Sequence, residues 1–301
     1  MTAQETPASI DIIIVAFNSI DYIDRCIGSI ISNTTITSIK IYFIDNGTDG
    51  CADFVRHRFP DVKIVPSRGN IGFGAACNLL ARLSSSPYIL LLNPDTYLES
   101  PAIDELVSCT RLMPDAWAWG GRTHYPNGEF DAGNRLMIPT LSRTVRAALG
   151  NGRALSSGGL PINSDRPAPV DVLVGGFMMV KRIYWELLGG FDESFFMYSE
   201  DIDFFTRLKC AGGIALMTPN SVIVHDVGSG SPNSPRRTLY KTIGQMHFVQ
   251  KHWNAVDTTI AGCAIWFGAV LRTVKAVLQR REAPYLSIAL HPARWWRGYT
   301  T

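Results

Sequence analysis

Four buried-strand signals recur along the first third of the chain, each separated from the next by a helical pattern or a turn. Residues 12–17 form an unbroken apolar run, β-branched over 12–15 and ending in Phe17, and residues 39–44 form a second, apolar but for Lys40 and stopped by Asp45-Asn46-Gly47. Runs of this kind, apolar without alternation, belong to strands covered on both faces. Residues 63–65 and 88–92 add two shorter strands. Between them, residues 21–31 carry Tyr22, Ile23, Cys26, Ile27 and Ile30 at helical spacing, and residues 73–83 read as a helix. Pro101 suits the first turn of a helix over 102–109. Strand and helix alternate in this way four times in about 110 residues, which predicts an α/β fold with an open, mostly parallel sheet flanked by helices. In such sheets ligands bind outside the carboxyl ends of the strands. Asn18, Asp45, Asn46, Asn93 and Asp95, which follow strands, are therefore the first polar residues to consider.

Beyond residue 121 the pattern loosens. Gly, Pro, Asn, Ser and Arg crowd residues 122–169, with a weak helix near 140–149, and the segment reads as an insertion or flap. Regular structure resumes over 170–180, broken by Gly175-Gly176. A helix over 200–210, strands over 214–217 and 221–225, a loop over 228–235 and helices over 236–253 and 256–280 follow. The expected organisation is a catalytic domain over 1–230 and a C-terminal helical extension over 231–301.

Composition removes several classes. The chain has 301 residues, 46% of them hydrophobic and 18% charged, so a packed core is expected. A net charge of +2, with no interleaving of aromatic and basic residues, gives no reason to expect nucleic acid as a partner. The six cysteines stand too far apart for a CxxC metal or redox site and read as reduced residues of a cytoplasmic protein. Residues 1–11 lack the basic end and apolar run of a secretory signal. The apolar stretch over 260–271, interrupted by Gly262 and Gly268, falls short of the roughly 20 residues a membrane span needs. With Arg272, Lys275, Arg280, Arg281 and the Arg294-Trp295-Trp296-Arg297 run beyond it, it suits either a membrane interface or packing on the fold or a second subunit in a homodimer.

Several residue groups carry possible chemistry, each beside a plainer reading. Asn93-Pro94-Asp95 ends a strand, where a carboxylate can hold a divalent cation, though all three residues also favour turns. Glu200-Asp201-Ile202-Asp203 places three carboxylates in four residues at a helix start, where acidic residues suit the dipole but where one can also act as general base. The preceding Phe195-Phe196-Met197-Tyr198 gives them a semi-apolar setting. His225 ends a strand and is a plausible metal ligand as well as a possible structural histidine. Asn70-Ile71-Gly72-Phe73-Gly74 opens a helix and permits close approach of an anion, but it is neither the dinucleotide fingerprint nor the P-loop pattern.

Taken in order, these pieces resemble the family-2 glycosyltransferases with a GT-A fold, and among them the rhamnosyltransferase-like members of bacterial polysaccharide assembly. The likeness runs from about residue 10 to 250. It includes Ile14-Val15-Ala16-Phe17-Asn18, Ile44-Asp45-Asn46-Gly47, Arg68-Gly69-Asn70-Ile71-Gly72-Phe73-Gly74 with Asn78, Leu92-Asn93-Pro94-Asp95, Gly175-Gly176-Phe177, Gly190-Phe191-Asp192, Glu200-Asp201-Ile202-Asp203 and His225. The resemblance implies a pyrimidine nucleotide-sugar donor, dTDP- or UDP-linked. Asp45 would receive the base, and the backbone after Phe17 and Asn18, the Asn70, Gly72, Phe73 and Gly74 loop, Asn78 and Asn93 would complete the donor site. It implies Asp95 and His225 as ligands of Mg²⁺ or Mn²⁺, with Asn93 standing where the family carries a first aspartate. Asp201 matches the catalytic base and Glu200 its acidic neighbour. The expected reaction is inverting transfer of a sugar, rhamnose first, to a glycan or lipid-linked acceptor at the cytoplasmic side of a membrane. A galactofuranosyl or hexosyl specificity, or a non-catalytic nucleotide-sugar-binding module, are the alternatives. A dehydrogenase would need GxGxxG directly after the first strand, and residues 15–20 contain no glycine.

Overall fold

The structure, a computed structural model, describes residues 9–131, 135–150, 165–226 and 234–299. The N-terminal part alternates as its apolar pattern predicts: β1 (Ser9–Ala16), α1 (Ile20–Asn33), β2 (Ser38–Asp45), α2 (Cys51–Arg58), β3 (Lys63–Val65), α3 (Phe73–Leu83) and β4 (Tyr88–Leu92). The short β5 (Thr96–Tyr97) and α4 (Ala102–Leu112) lead into β6 (Ala118–His124), β7 (Phe130–Asp131), β8 (Arg135–Leu136) and α5 (Leu141–Ala148). Then come β9 (Ala168–Val170), β10 (Val172–Leu173), β11 (Phe177–Lys181), α6 (Arg182–Leu187), α7 (Glu200–Cys210) and β12 (Ala215–His225). Three helices close the chain: α8 (Pro235–His252), α9 (Ala255–Leu278) and α10 (Leu286–Leu290).

The main sheet runs β3-β2-β1-β4-β11-β6-β12-β5. The β3, β2, β1 and β4 pairings are parallel, β11 is antiparallel to both β4 and β6, and β6 is parallel to β12. β11 is thus the one reversed strand between β3 and β12, and the carboxyl ends of β1, β2, β4, β6 and β12 share one edge. Alternate residues of β1 divide between two cores. Ile12 and Ile14 join Phe43, Leu90 and Trp119 on the α1–α2–α4 face, while Ile13 and Val15 join Ile44, Leu91 and Met178 on the α3–α7 face. Covering both faces is what makes these strands apolar at every position.

One polar residue interrupts that run. Asp11, fully buried, accepts hydrogen bonds from Ser85 N, Ser86 N and Ser86 Oγ at 2.5–2.8 Å and pairs with Arg182 at 3.3 Å. It fastens the turn before β4 and the start of α6 to β1.

Two expectations fail. Residues 122–124 belong to β6 rather than to an insertion, and Asp131 lies on β7, which pairs with β6. Gly120-Gly121 lies mid-strand in β6. A Cβ on Gly120 would stand 2.5 Å from Leu173, and one on Gly121 would meet Phe177 and Ser221, so close packing and not turning explains both glycines. The two strands expected over 214–225 are a single strand, β12, whose register on β6 shifts between Met217 and Val222. Parts of the proposed insertion (132–134 and 151–164) and most of the 228–235 loop lie outside the described residues.

The C-terminal helices pack on the sheet domain. α9 is unbroken by its two glycines because each meets a neighbour: Gly262 lies against the Trp296 ring and Gly268 against the Ala148 carbonyl of α5, where Arg272 also caps Ala147 O. It is the one helix among the described residues long and apolar enough to cross a membrane by length and composition, which corrects the shorter stretch read from the sequence. Trp295 is fully buried, its indole donating to Ile288 O at 3.0 Å, so it anchors a core and does not face an interface.

Candidate active site

At the ends of β1 and β2, Asn18 adopts a left-handed conformation (φ 52°) and its side-chain oxygen accepts from Thr48 N at 3.2 Å. Asp45 is buried, with Oδ1 accepting from Gly47 N at 2.8 Å and Oδ2 from Ala52 N at 3.2 Å. Phe17 stands beside them, 43% exposed, an aromatic surface at the mouth of the sheet. Asp45, Asp49 and Cys51 lie close enough to share a cation. Asp49, however, accepts from Ile20 N and Cys51 N, and burial together with the Asp45 and Asp49 charges pushes the Cys51 thiol up to about 12. The trio staples the turn, and the thiol keeps its proton.

The glycine-rich loop lies against the segment before α7. Asn70 accepts from Gly72 N at 3.0 Å in an Asx turn. Asn46 donates to Gly72 O at 3.1 Å, and Phe73 N donates to Phe196 O at 3.1 Å. Gly72 has φ 87°, and a Cβ there would come within 2.5 Å of Phe196 O. Gly74 sits against Phe191 and Glu200. Gly72→Ala is accordingly expected to cost about 1–3 kcal/mol of stability. Urea unfolding measures it, and a loss below 0.5 kcal/mol, within the usual range for a surface change, would mean that the loop rearranges freely. Asn78, expected at the donor, instead exchanges two hydrogen bonds with the Phe191 backbone at 2.8 and 2.9 Å and a third with Glu193 at 3.0 Å. Its amide braces α3 against the 191–193 turn.

Past β4 the chain brings three sequence-identified residues together and adds a fourth. Asn93 N donates to Gly176 O at 3.0 Å, and its side chain fills the space a Cβ on Gly176 would need. Asp226 N donates to Asp95 O at 2.8 Å, which ties the 93–95 turn to the end of β12. His225 Nε2 then lies 3.4 Å from Asp95 Oδ1, and His225 Nδ1 lies 3.2 Å from Asp131 Oδ2. Burial works to lower the His225 pKa, but the two carboxylates raise it to about 9. Asp95 Oδ1 is buried and has no well-formed hydrogen bond. An imidazole nitrogen and an unsatisfied carboxylate oxygen turned toward each other suit a divalent cation in place of the imidazolium proton, with Asp131 orienting the ring from behind. Asp131 went unnoticed in the sequence, since a single aspartate in an irregular stretch carries no pattern.

The carboxylates that open α7 separate into three environments. Tyr198 and Ser199 precede them with consecutive positive φ values of 67° and 73°, a strained entry held by α8, where a Cβ on Gly244 would strike Tyr198 O. Glu200 is buried with Oε2 unpartnered, and desolvation, then the Asp201 charge, raises it well above the ordinary glutamate value. Asp201 accepts from Ile202 N at 2.8 Å and lies beside Gly175 N; burial raises it to about 6 despite those bonds. Asp203, fully buried, faces away to α8. It pairs with Lys251 at 2.6 Å, His252 at 2.8 Å and Arg207 at 2.8 Å. One residue of the cluster is therefore a fastening between helices, and the two neighbouring acids are both raised by burial. Buried carboxylates with raised values suit acid–base work.

The model of the Glycosyl transferase family 2 family matches residues 11–187. A curated relative, the N-acetylglucosaminyl-diphospho-decaprenol L-rhamnosyltransferase of Mycobacterium tuberculosis, is 27% identical over 244 residues, which cover 76% of this chain and 79% of the relative. The low-salt glycan biosynthesis hexosyltransferase Agl10 of Haloferax volcanii is 30% identical over 154 residues, half of this chain and 47% of its own length. Among solved structures, the mannosyltransferase PcManGT of Pyrobaculum calidifontis, in complex with GDP-Man and Mn²⁺, superposes with a TM-score of 0.59 at 14% identity, covering 98% of this chain and 86% of that one. GalNAc-T7 with UDP, GalNAc and Mn²⁺ gives 0.60 at 13% identity over 96% and 54%. At these identities the structural likeness speaks for the fold.

Proposed function

The chain belongs to glycosyl transferase family 2, and from that premise we propose that it moves a sugar, rhamnose as first choice, from a pyrimidine nucleotide-sugar to a hydroxyl of a lipid-linked or other glycan acceptor, with inversion. The observation that carries the reading is the pair Glu200 and Asp201, buried side by side at the α7 entry and both raised above their ordinary values by burial. Asp201, which accepts from Ile202 N, takes the proton of the acceptor hydroxyl, and Glu200 stands as its acidic neighbour. Asp45, with Phe17 and Asn18 at its side, receives the pyrimidine. Asn70, Gly72, Phe73, Gly74 and Asn93 line the path of the diphosphate, and Asn78 braces that loop. Asp95 and His225 hold Mg²⁺ or Mn²⁺, which when bound neutralises charge on the departing nucleoside diphosphate. The mycobacterial relative's name supports rhamnose and a diphosphate-lipid acceptor.

A donor panel with a GlcNAc-diphosphoryl-prenol acceptor tests the reading. Transfer from dTDP-rhamnose is expected, absent in excess chelator and restored by Mn²⁺. Transfer from a UDP-hexose alone would replace the sugar, and undiminished transfer in chelator would remove the cation.

The same reading places the enzyme at a membrane surface. Val256, Ile260, Phe267, Leu271, Val274 and Leu278 form one exposed apolar stripe along α9, while Ala261, Gly268 and Ala269 on the opposite side pack inward. A helix with one face docked and the other apolar and open suits an interface. The protein is expected to float with anionic liposomes at low salt, and Phe267→Glu with Leu271→Glu to abolish flotation without unfolding it. Failure of the unaltered protein to float would remove the membrane contact.

A further inference from the structure

The first two turns of α8 carry a cationic pair to which the proposed chemistry gives no task. Arg237 and Lys241 stand four residues apart and so share a helix face. That face lies on the catalytic loop: Arg237 Nε donates to the Tyr198 hydroxyl at 3.2 Å, and Lys241 Nζ lies 5.6 Å from the centre of the Tyr198 ring. The Arg237 charge is felt at Tyr125, whose hydroxyl donates to Asp131 at 3.0 Å, and Asp131 holds His225. Among the described residues no carboxylate lies within ion-pair distance of either cation. Like charges at this spacing repel, and the surrounding protein first, then Arg237, hold Lys241 below the ordinary lysine value. A half-buried guanidinium and an exposed ammonium side by side against Tyr198, lacking a carboxylate, are arranged for an external anion.

The position of the pair indicates which anion. Arg237 and Lys241 bear on Tyr198, just before the carboxylates that open α7, so an anion on this face of α8 lies beside the loop that presents Asp201.

We propose that Arg237 and Lys241 bind the phosphate or diphosphate group of a phosphorylated acceptor, seating the acceptor hydroxyl at Asp201. This rests on the lipid-linked acceptor reading above. Guanidinium takes two phosphate oxygens in its planar fork, ammonium supplies a point charge, and an uncharged acceptor forfeits both.

Calorimetric titration of the full chain, saturated with dTDP or UDP and Mn²⁺, tests the site with farnesyl diphosphate and inorganic pyrophosphate as probes. Both are expected to bind, and Arg237→Gln and Lys241→Gln each to weaken them about tenfold or more, while nucleotide affinity stays unchanged. No binding to the unaltered protein, equal binding to the variants, or a parallel fall in nucleotide affinity would overturn the assignment; the last would give both cations to the donor. Tighter binding of farnesyl diphosphate than of pyrophosphate supports a lipid-linked acceptor. Equal binding keeps the anion site and removes the lipid reading, so the two proposals fail separately.

Discussion

Asp201→Asn is expected to lower turnover by about 10²–10⁴ and leave nucleotide affinity unchanged, because it removes a proton acceptor and almost no volume. With Asp201 raised to about 6 by burial, transfer by the unaltered protein should decline as pH falls through that value. The same shift has a consequence for stability. The folded protein binds a proton that the unfolded chain, with its aspartate near 4, has already released, so ionised Asp201 opposes folding as pH rises from about 4 through 6. The asparagine variant escapes this and should melt at a higher temperature than the parent at pH 7. Loss of turnover with gain of stability separates a base from a structural residue. Glu200→Gln leaves the proposed proton acceptor in place and should keep most of the turnover. If Asp201→Asn retains near-normal rates and Glu200→Gln does not, the two roles exchange.

Asp203→Asn is expected to cost about 3–5 kcal/mol at pH 7, measured by urea unfolding. Its carboxylate is fully buried against Lys251, His252 and Arg207, and removing the charge leaves the Lys251 and Arg207 cations converging on a neutral amide. Burial alone would raise this acid; the bonds from His252 and Lys251 and the charge of Arg207 lower it instead. Its stabilisation is therefore present above the unfolded aspartate value and lost as pH falls through the lower, folded value, so variant and parent should converge in acid. The exposed Arg82–Glu193 pair, at 3.3 Å, serves as control with an expected effect below about 1 kcal/mol. A loss of that size at Asp203 would mean that α7 does not depend on α8 for its position.

Asp203 also illustrates what a linear reading misses. In the sequence it is one of three equivalent acids at a helix start. The helix separates them, because residues 200, 201 and 203 leave the axis at different angles and meet different neighbours. Lys251 and His252 are about fifty residues away in the chain, and nothing near Asp203 announces them. Asp131 is the same case: β7 has only two residues, and it reaches His225 through the pairing of β6 with β12, a long-range contact. A glycine required by a neighbouring side chain, such as Gly120 or Gly121, looks identical in sequence to one required by a turn.

The layered architecture at the N-terminal end, the strand-end positions of Asn18, Asp45, Asn93, Asp95 and His225, and the family were all legible in the linear chain. Each of these rests on local signals, since β-branched runs, helical spacing, turn residues and ordered motifs act over a few residues. The bounds of β3, α3, β4 and α7 were legible for that reason. It took the folded chain to reveal that Asn78 braces a turn, that Glu200 and Asp201 are buried together and both raised, that Trp295 is a core anchor and that α9 buries one face and exposes the other. Burial, desolvation and ion pairing depend on which distant segments fold against a residue, and no short window of the chain contains that information.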